Sequence, residues 1–246
     1  MATPKALTNA DLDPEVLALA SGDWGKQDPS SHLPGYFNEA PDEWLERHHR
    51  FNTRASEGNV EVLFIGDSIT EGWAGEAGAA LWNEHFASLP AANFGIGGDR
   101  TQQLLWRIDN GNLDGISPSV VVLLIGVNNL WPQSHTAEEV AAGIQAVIAR
   151  IQVKLPDAVI LHYGIFPTME LPDHVIRGDV LAINAISARH ADGERVRYID
   201  LGPQFLQQDG SISADVMPDF CHLAPSAYAI WAESLLSQLA DMGVSR

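Results

Sequence analysis

Val62-Leu63-Phe64-Ile65-Gly66-Asp67-Ser68-Ile69-Thr70 is the stretch on which the fold turns. Its apolar opening, rich in β-branched and aromatic residues, predicts a buried strand. Gly66 breaks the strand and small polar residues follow, so Ser68 falls on a turn just past the strand end. In open α/β sheets, ligands bind in the crevice at the carboxyl ends of the strands. A serine at that place is either a nucleophile or the N-cap of the next helix.

Working outward, further strands end in the same manner. Ser119 to Ile125 is apolar on both faces, as a central parallel strand should be, and runs into Gly126-Val127-Asn128-Asn129. Asn128 is either a turn residue or an amide delivered to the same rim as Ser68. Ala91 to Phe94 is a short strand that continues into Gly95-Ile96-Gly97-Gly98-Asp99-Arg100. So many glycines mean close backbone approach or positive φ. The spacing matches neither a Rossmann fingerprint nor a P-loop, so we expect the loop to offer a backbone N–H to a ligand oxygen. Ala158 to Tyr163, with His162 as a core histidine, and Val196 to Asp200 supply the remaining strands.

Helical patterns fall between them: Pro41 to about Ala55, Glu76 to Ala87, Thr101 to Asp109, a capping box at Thr136 opening a helix through Ile151, His174 to His190, and Pro225 to Leu239. The last should turn Tyr228, Trp231, Leu235 and Leu239 inward. Asp13 to Leu19 is a further short helix in an extended arm. The alternation is that of an α/β, doubly wound fold with a five-stranded parallel sheet, in a single domain. An irregular stretch over 202–220 ends in Asp219-Phe220-Cys221-His222.

The chain of 246 residues has a formal net charge of −18, from 32 acidic and 14 basic residues. Such a surface repels nucleic acid and anionic membranes. Lysine appears only at Lys5, Lys26 and Lys154, which fits either a salty habitat or an ordinary acidic protein. Cys221 stands alone, which excludes an intrachain disulfide, and it is expected to be packed rather than reactive. No apolar run is long enough for a membrane span, and no signal peptide is read at the N-terminus. These readings fit a soluble protein, cytoplasmic as given or secreted if a signal was trimmed, and do not fix the compartment. His48 and His49 are adjacent on a helix and point about 100° apart, a poor chelate, so no metal is expected.

The rim of the sheet should gather Ser68, Gly98 and Asn128 with Asp219 and His222 from the last loop. A neutral hydroxyl is a weak nucleophile and needs a base. His222 can supply it, and Asp219 can hold the imidazole and stabilise its charged form. The attacked carbonyl develops negative charge, which the backbone N–H groups of Ser68 and Gly98 and the amide of Asn128 can bind as an oxyanion hole. One such donor is typically worth about 3–4 kcal/mol of barrier. Position 70 is threonine, so the Gly-x-Ser-x-Gly elbow of α/β-hydrolases is absent.

Together these pieces resemble the SGNH (GDSL) hydrolase family, whose four motifs stand here as Gly66-Asp67-Ser68-Ile69-Thr70, Gly95-Ile96-Gly97-Gly98-Asp99, Gly126-Val127-Asn128-Asn129 and Asp219-Phe220-Cys221-His222. Within it the likeness is strongest to the platelet-activating-factor acetylhydrolase branch, through Asn93 to Asp99, Leu105 to Gly111 and His222-Leu223. The resemblance covers roughly residues 58–240 and implies a three-layer α/β/α sandwich, flavodoxin-like in its winding. It implies Ser68 as nucleophile, Asp219 and His222 as the rest of the triad, Ser68, Gly98 and Asn128 as the oxyanion hole, and no cofactor. Ile69 replaces the leucine of the name-giving motif, and Val127 stands where threonine is frequent. Residues 1–57 are set apart as an arm and helix packing on a hydrolase domain of residues 58–246. The arm can cover the site, mediate a homodimer, or do neither.

The resemblance implies hydrolysis of acetyl or other short acyl esters. Asp67, Trp73 and Trp131 are candidate substrate contacts; the two tryptophans either flank the pocket and stack on a sugar or plug the helix–sheet interface. An acidic, polar surface suits a neutral glycan, so acetylated carbohydrate is the first expectation and a lipid ester the second. A non-catalytic carbohydrate-binding domain of the same fold and a flavodoxin-like nucleotide binder are the readings from other classes.

Overall fold

The computed structural model describes residues 41–131 and 135–244. The expected arm, with its short helix over 13–19, lies outside the described residues. α1 spans Pro41–Ser56, and β1 follows at Val62–Gly66. α2 is a single turn, Ser68–Glu71, continued by a 3-10 turn over Gly72–Ala74. Next come α3 (Ala79–His85), β2 (Ala91–Gly95), α4 (Thr101–Arg107), β3 (Val120–Leu124) and α5 (Ala137–Lys154). β4 (Val159–Tyr163), α6 (Val175–Ser187), β5 (Val196–Ile199) and α7 (Pro225–Asp241) complete the order.

The five strands are all parallel, in the order β2-β1-β3-β4-β5. β1 and β3 are buried at every position, which explains why neither shows an alternating pattern. The chain reverses its direction of travel across the sheet after β2. With right-handed crossovers, α4, α5 and α6 must then share one face and α3 the other, where α7, which follows the last strand, joins it. The contacts agree: α4 meets α5, α5 meets α6, and α3 meets α7. This is the α/β/α sandwich the sequence predicts. β1 and β3 leave the sheet side by side, with Gly66 in register with Leu124. The segments after β1, β2 and β3 therefore reach the same rim.

Helices α3 and α4 differ from expectation at their ends. Glu76 to Ala87 reads as one helix, but α3 begins only at Ala79, after turns at Gly75 and Gly78, since glycine disfavours helix interiors. α4 stops at Arg107 and passes into a wide turn over Ile108–Asn112, where Gly111 takes φ +114. At α5 the capping box forms as read: Thr136 Oγ1 accepts from Glu139 N at 3.2 Å, and Glu139 Oε2 accepts from Thr136 N at 2.8 Å. Tyr228, Trp231, Leu235 and Leu239 of α7 are all buried.

Trp73 is placed differently from the pocket-wall role considered for it. It has 0% exposure and packs among Phe86, Tyr228 and Trp231, with ring centroids 5.4, 4.8 and 5.2 Å away. A large indole sheds the most apolar surface between sheet and helices, so the core claims it. His162 is likewise a core residue: burial pushes its pKa down to about 4, which keeps the ring neutral. No helix among the described residues is long and apolar enough to cross a membrane.

Candidate active site

The turn that carries Ser68 is built by Asp67. Its Oδ1 accepts from Ile69 N at 3.0 Å and caps α2, which sets Ser68 at the first position of that helix. Asp67 is fully buried. This runs against the substrate contact expected of it: the carboxyl caps the turn and is closed off from solvent. Its Oδ2 has no hydrogen-bond partner among the described residues. Burial pushes the carboxyl up to about 7, against the opposing pull of the Ile69 N–H and of His222. Tyr228 fixes the same turn from α7, donating to Ile69 O at 2.7 Å.

Ser68 Oγ lies 2.8 Å from His222 Nε2, and His222 Nδ1 lies 2.6 Å from Asp219 Oδ2. Asp219 Oδ1 also accepts from the backbone N–H of His222 at 2.7 Å and of Cys221 at 3.1 Å. Partial burial pushes the Asp219 carboxyl up, but the hydrogen bonds from His222 and Cys221 and the His222 charge outweigh it and hold it below the usual carboxylate value. The pair stays open to solvent, with side-chain exposures of 42% for His222 and 56% for Asp219. The three residues expected to act together thus meet in one hydrogen-bonded chain.

The turn that presents Asp219 and His222 depends on a residue that nothing in the sequence marks. Phe220 takes φ +59, a conformation costly for an aromatic residue. Its carbonyl accepts from Met169 N at 2.8 Å and Thr168 Oγ1 at 3.0 Å, so the segment after β4 holds the strained turn in place. Cys221 is partly buried in that turn, and burial pushes its thiol up to about 12, so it is packed and poorly nucleophilic.

Across the rim, Gly98 has φ +80. The flanking N–H groups are used internally: Gly97 donates to Glu71 Oε2 at 2.6 Å, and Asp99 to Ile96 O at 3.2 Å. The Gly98 N–H lies between them. Asn128 sits in the 3-10 turn Val127–Leu130 after β3, and its Nδ2 donates one hydrogen to Asp99 O at 2.9 Å. The amide carries a second hydrogen, and the Asp99 bond fixes its plane. The neighbouring Asn129 serves α4 instead, accepting from Thr101 N at 3.1 Å. Trp131 closes the Asn128 turn; it is partly buried, and its carbonyl accepts from Arg100.

Behind the loop lies a buried ionic network outside the expected site. Asp99 and Arg107 are both wholly buried and meet at 2.7 Å. Trp44 Nε1 of α1 donates to Asp99 Oδ1 at 2.7 Å, and Arg107 also donates to Asn112 Oδ1 at 2.7 Å. His48 belongs to this network, with its ring nitrogens 3.1 Å from the amides of Asn52 and Asn112. Among the described residues, no cluster of three or more His, Cys, Asp or Glu side chains could hold a metal ion.

Such a rim suits acyl transfer: a hydroxyl hydrogen-bonded to a partly exposed imidazole that a carboxylate holds, with the Asn128 amide and the glycine loop across the rim. Comparison with known proteins points the same way. Residues 64–230 match the GDSL-like Lipase/Acylhydrolase family. The human platelet-activating factor acetylhydrolase IB subunit alpha1 is 34% identical over 216 residues, covering 87% of this chain and 91% of that one. The rat alpha2 subunit is 36% identical over 191 residues, covering 78% and 81%. A GDSL-like lipase from Bacteroides thetaiotaomicron shares the fold with a TM-score of 0.59 at 19% identity, over 80% of this chain and 98% of that one. An acetylxylan esterase from Geobacillus stearothermophilus does so with a TM-score of 0.59 at 16% identity, over 74% and 94%. The extent of the family match and the identity to these relatives show that the chain belongs to the GDSL-like lipase/acylhydrolase family of hydrolases.

Proposed function

We propose that the chain is a serine esterase that removes short acyl groups, chiefly acetyl, from carbohydrate esters. The observation that carries the catalytic part is the continuous chain Ser68–His222–Asp219, with contacts of 2.8 and 2.6 Å. Ser68 Oγ attacks the ester carbonyl while His222 Nε2 takes its proton, and Asp219 stabilises the imidazolium. The oxyanion is bound by the N–H groups of Ser68 and Gly98 and the free hydrogen of Asn128 Nδ2. The intermediate collapses, the C–O bond to the alcohol breaks, and His222 returns its proton to the departing oxygen. Water then attacks the acyl-serine with His222 again as base, releasing the acid and restoring Ser68.

The acetyl preference is supported by names on both sides: acetylhydrolase among the sequence relatives and acetylxylan esterase among the structural ones. Carbohydrate as the alcohol is supported by the net charge of −18, which is unfavourable at an anionic lipid surface, and by Trp131 at the rim, an aromatic able to stack on a sugar. A second reading, a lipid-ester acetylhydrolase, is favoured by the 34% identity to platelet-activating factor acetylhydrolase subunits.

The test is hydrolysis of p-nitrophenyl acetate, butyrate and octanoate, acetylated xylan and an acetylated phospholipid by the wild type and Ser68→Ala. Ser68-dependent release that is fastest from acetate and includes the glycan is expected. Selective release from the phospholipid would favour the second reading. Turnover by a folded Ser68→Ala protein, or none from any ester by the wild type, would overturn the catalytic assignment and favour a binding domain.

A further inference from the structure

Glu71 lies on the same single helical turn as Ser68, yet its carboxylate reaches over to the glycine loop. Oε2 accepts from Gly97 N at 2.6 Å. Oε1 pairs with Arg47 of α1, and Arg47 in turn donates to Gly95 O at 3.0 Å. The backbones of α2 and the loop are also in direct contact. A Cβ on Gly95 would lie 2.2 Å from Glu71 N, so no side chain fits between them. Asn93 adds a third link, donating to Thr70 O at 2.9 Å while accepting from Gly95 N at 2.9 Å. A Cβ on Gly97 would stand 3.1 Å from Glu71 Oε2 and 3.7 Å from Ser68 Cβ, which shows how near the carboxylate, the nucleophile and the loop lie.

We propose that Glu71, braced by Arg47, is a positioning residue that sets the Gly98 N–H against the carbonyl attacked by Ser68. The inference rests on the serine-esterase reading and assigns a task to groups that make no contact with substrate. Gly97 is the residue before the proposed donor, so the carboxylate that holds its N–H fixes the Ile96–Gly97 peptide plane, from which the next peptide carries the Gly98 N–H. Because Glu71 is three residues from Ser68 on a rigid turn, loop and nucleophile share one reference point. The Glu71–Arg47 pair is partly exposed, with side-chain exposures of 32% and 16%. Pairs of that kind add little to global stability, so its removal should act on the loop rather than on the fold. Arg47 also explains what α1 does at the site: together with Trp44, which holds Asp99, it supports the loop from behind.

The test compares the wild type with Glu71→Ala, Glu71→Gln, Arg47→Ala and the Arg47/Glu71 double alanine variant, with p-nitrophenyl acetate as substrate and phenylboronic acid as probe. Boronates form a tetrahedral adduct on a nucleophilic serine and so report the oxyanion donors. Glu71→Ala should lower kcat by about 10- to 100-fold, a fraction of what losing a whole donor costs. KM should change by less than about 3-fold, and the boronate inhibition constant should rise in step with the loss of kcat. Glu71→Gln keeps an acceptor for Gly97 and should restore most of the rate. Arg47→Ala should lose less than Glu71→Ala, and the double variant no more than Glu71→Ala alone, because the two residues act along one path. Wild-type kcat and boronate affinity in a folded Glu71→Ala protein would overturn the proposal. So would a loss of kcat with unchanged boronate affinity, the mark of a merely structural role. Ser68→Ala, run in parallel, separates the two levels: if it turns over, the esterase reading fails, whereas its silence beside a fully active Glu71→Ala sinks only the positioning role.

Discussion

Asp67 shows how one side chain can serve the site at a cost to the fold. Its Oδ1 caps the turn that presents Ser68, and burial raises its pKa to about 7. An ordinary aspartate ionises near 3.9, so the unfolded chain releases this proton first. Between about pH 4 and pH 7 the folded state therefore binds more protons, and this residue's contribution to stability falls as pH rises, then levels off. Asp67→Asn keeps an oxygen for the Ile69 N–H and removes the ionisation. The melting temperature of the variant, relative to wild type, should be higher at pH 8 than at pH 5, and thermal melts at those two values check it. His48 and His162, both pushed down to about 4 mainly by burial, act in the opposite sense: their contribution is lost as pH falls from about 6.5. They are common to both proteins and cancel in the difference. Asp67 was visible in the sequence as the residue before Ser68, but its burial was not, because the cap that turns it inward is a backbone conformation. Trp73 carried the same ambiguity. An aromatic a few residues past a strand end reads equally as pocket wall or core, and only the packing of α7 against the sheet decides.

At the scale of elements, strands were the most legible part. Apolar runs closed by glycine placed β1 and β3 and their rim loops, because a doubly covered parallel strand has no polar positions to blur its pattern, while β2, an edge strand with Asn93 in it, was placed by the glycine-rich loop that follows. Ser68, Asn128 and Gly98 could be named because each follows such a strand. Asp219 and His222 could be named from their spacing before α7. The supports of those residues could not. Glu71 with Gly97, Arg47 with Gly95, and Arg107 with Asp99 are pairings between elements, and no periodicity along the chain encodes them. The Asp99–Arg107 pair is the most consequential of these. Removing one member leaves the other charged and fully buried, which typically costs about 3–5 kcal/mol. Arg107→Met should lower the unfolding free energy by that amount in a urea titration. It should also slow ester turnover in the protein that remains folded, because Asp99 adjoins Gly98 and its carbonyl holds Asn128. Phe220 is a similar case: an aromatic at φ +59 is set by its neighbours across the rim, not by its own preference.

The whole molecule carries a net charge of −18 on 246 residues, and at neutral pH this charge repels itself. Added salt shortens the reach of that repulsion, from about 30 Å at 0.01 M to about 3 Å at 1 M ionic strength. The melting temperature should therefore climb as sodium chloride is raised across that range at pH 8, which calorimetry can follow. A falling or flat curve would mean that the exposed ion pairs, such as Lys154 with Asp114, outweigh the excess charge.

The separation of the active residues along the chain has its own consequence. Ser68 and His222 stand 154 residues apart in sequence and 2.8 Å apart in space. A ribosome making this protein has threaded out almost every strand and helix before it adds the histidine. A nascent chain that has passed Ser68 but not reached His222 holds the serine without the base proposed for it. On the proposed mechanism the hydroxyl stays chemically quiet until His222 is in place, and the first turnover by a newly made molecule signals that both ends of the domain have come together.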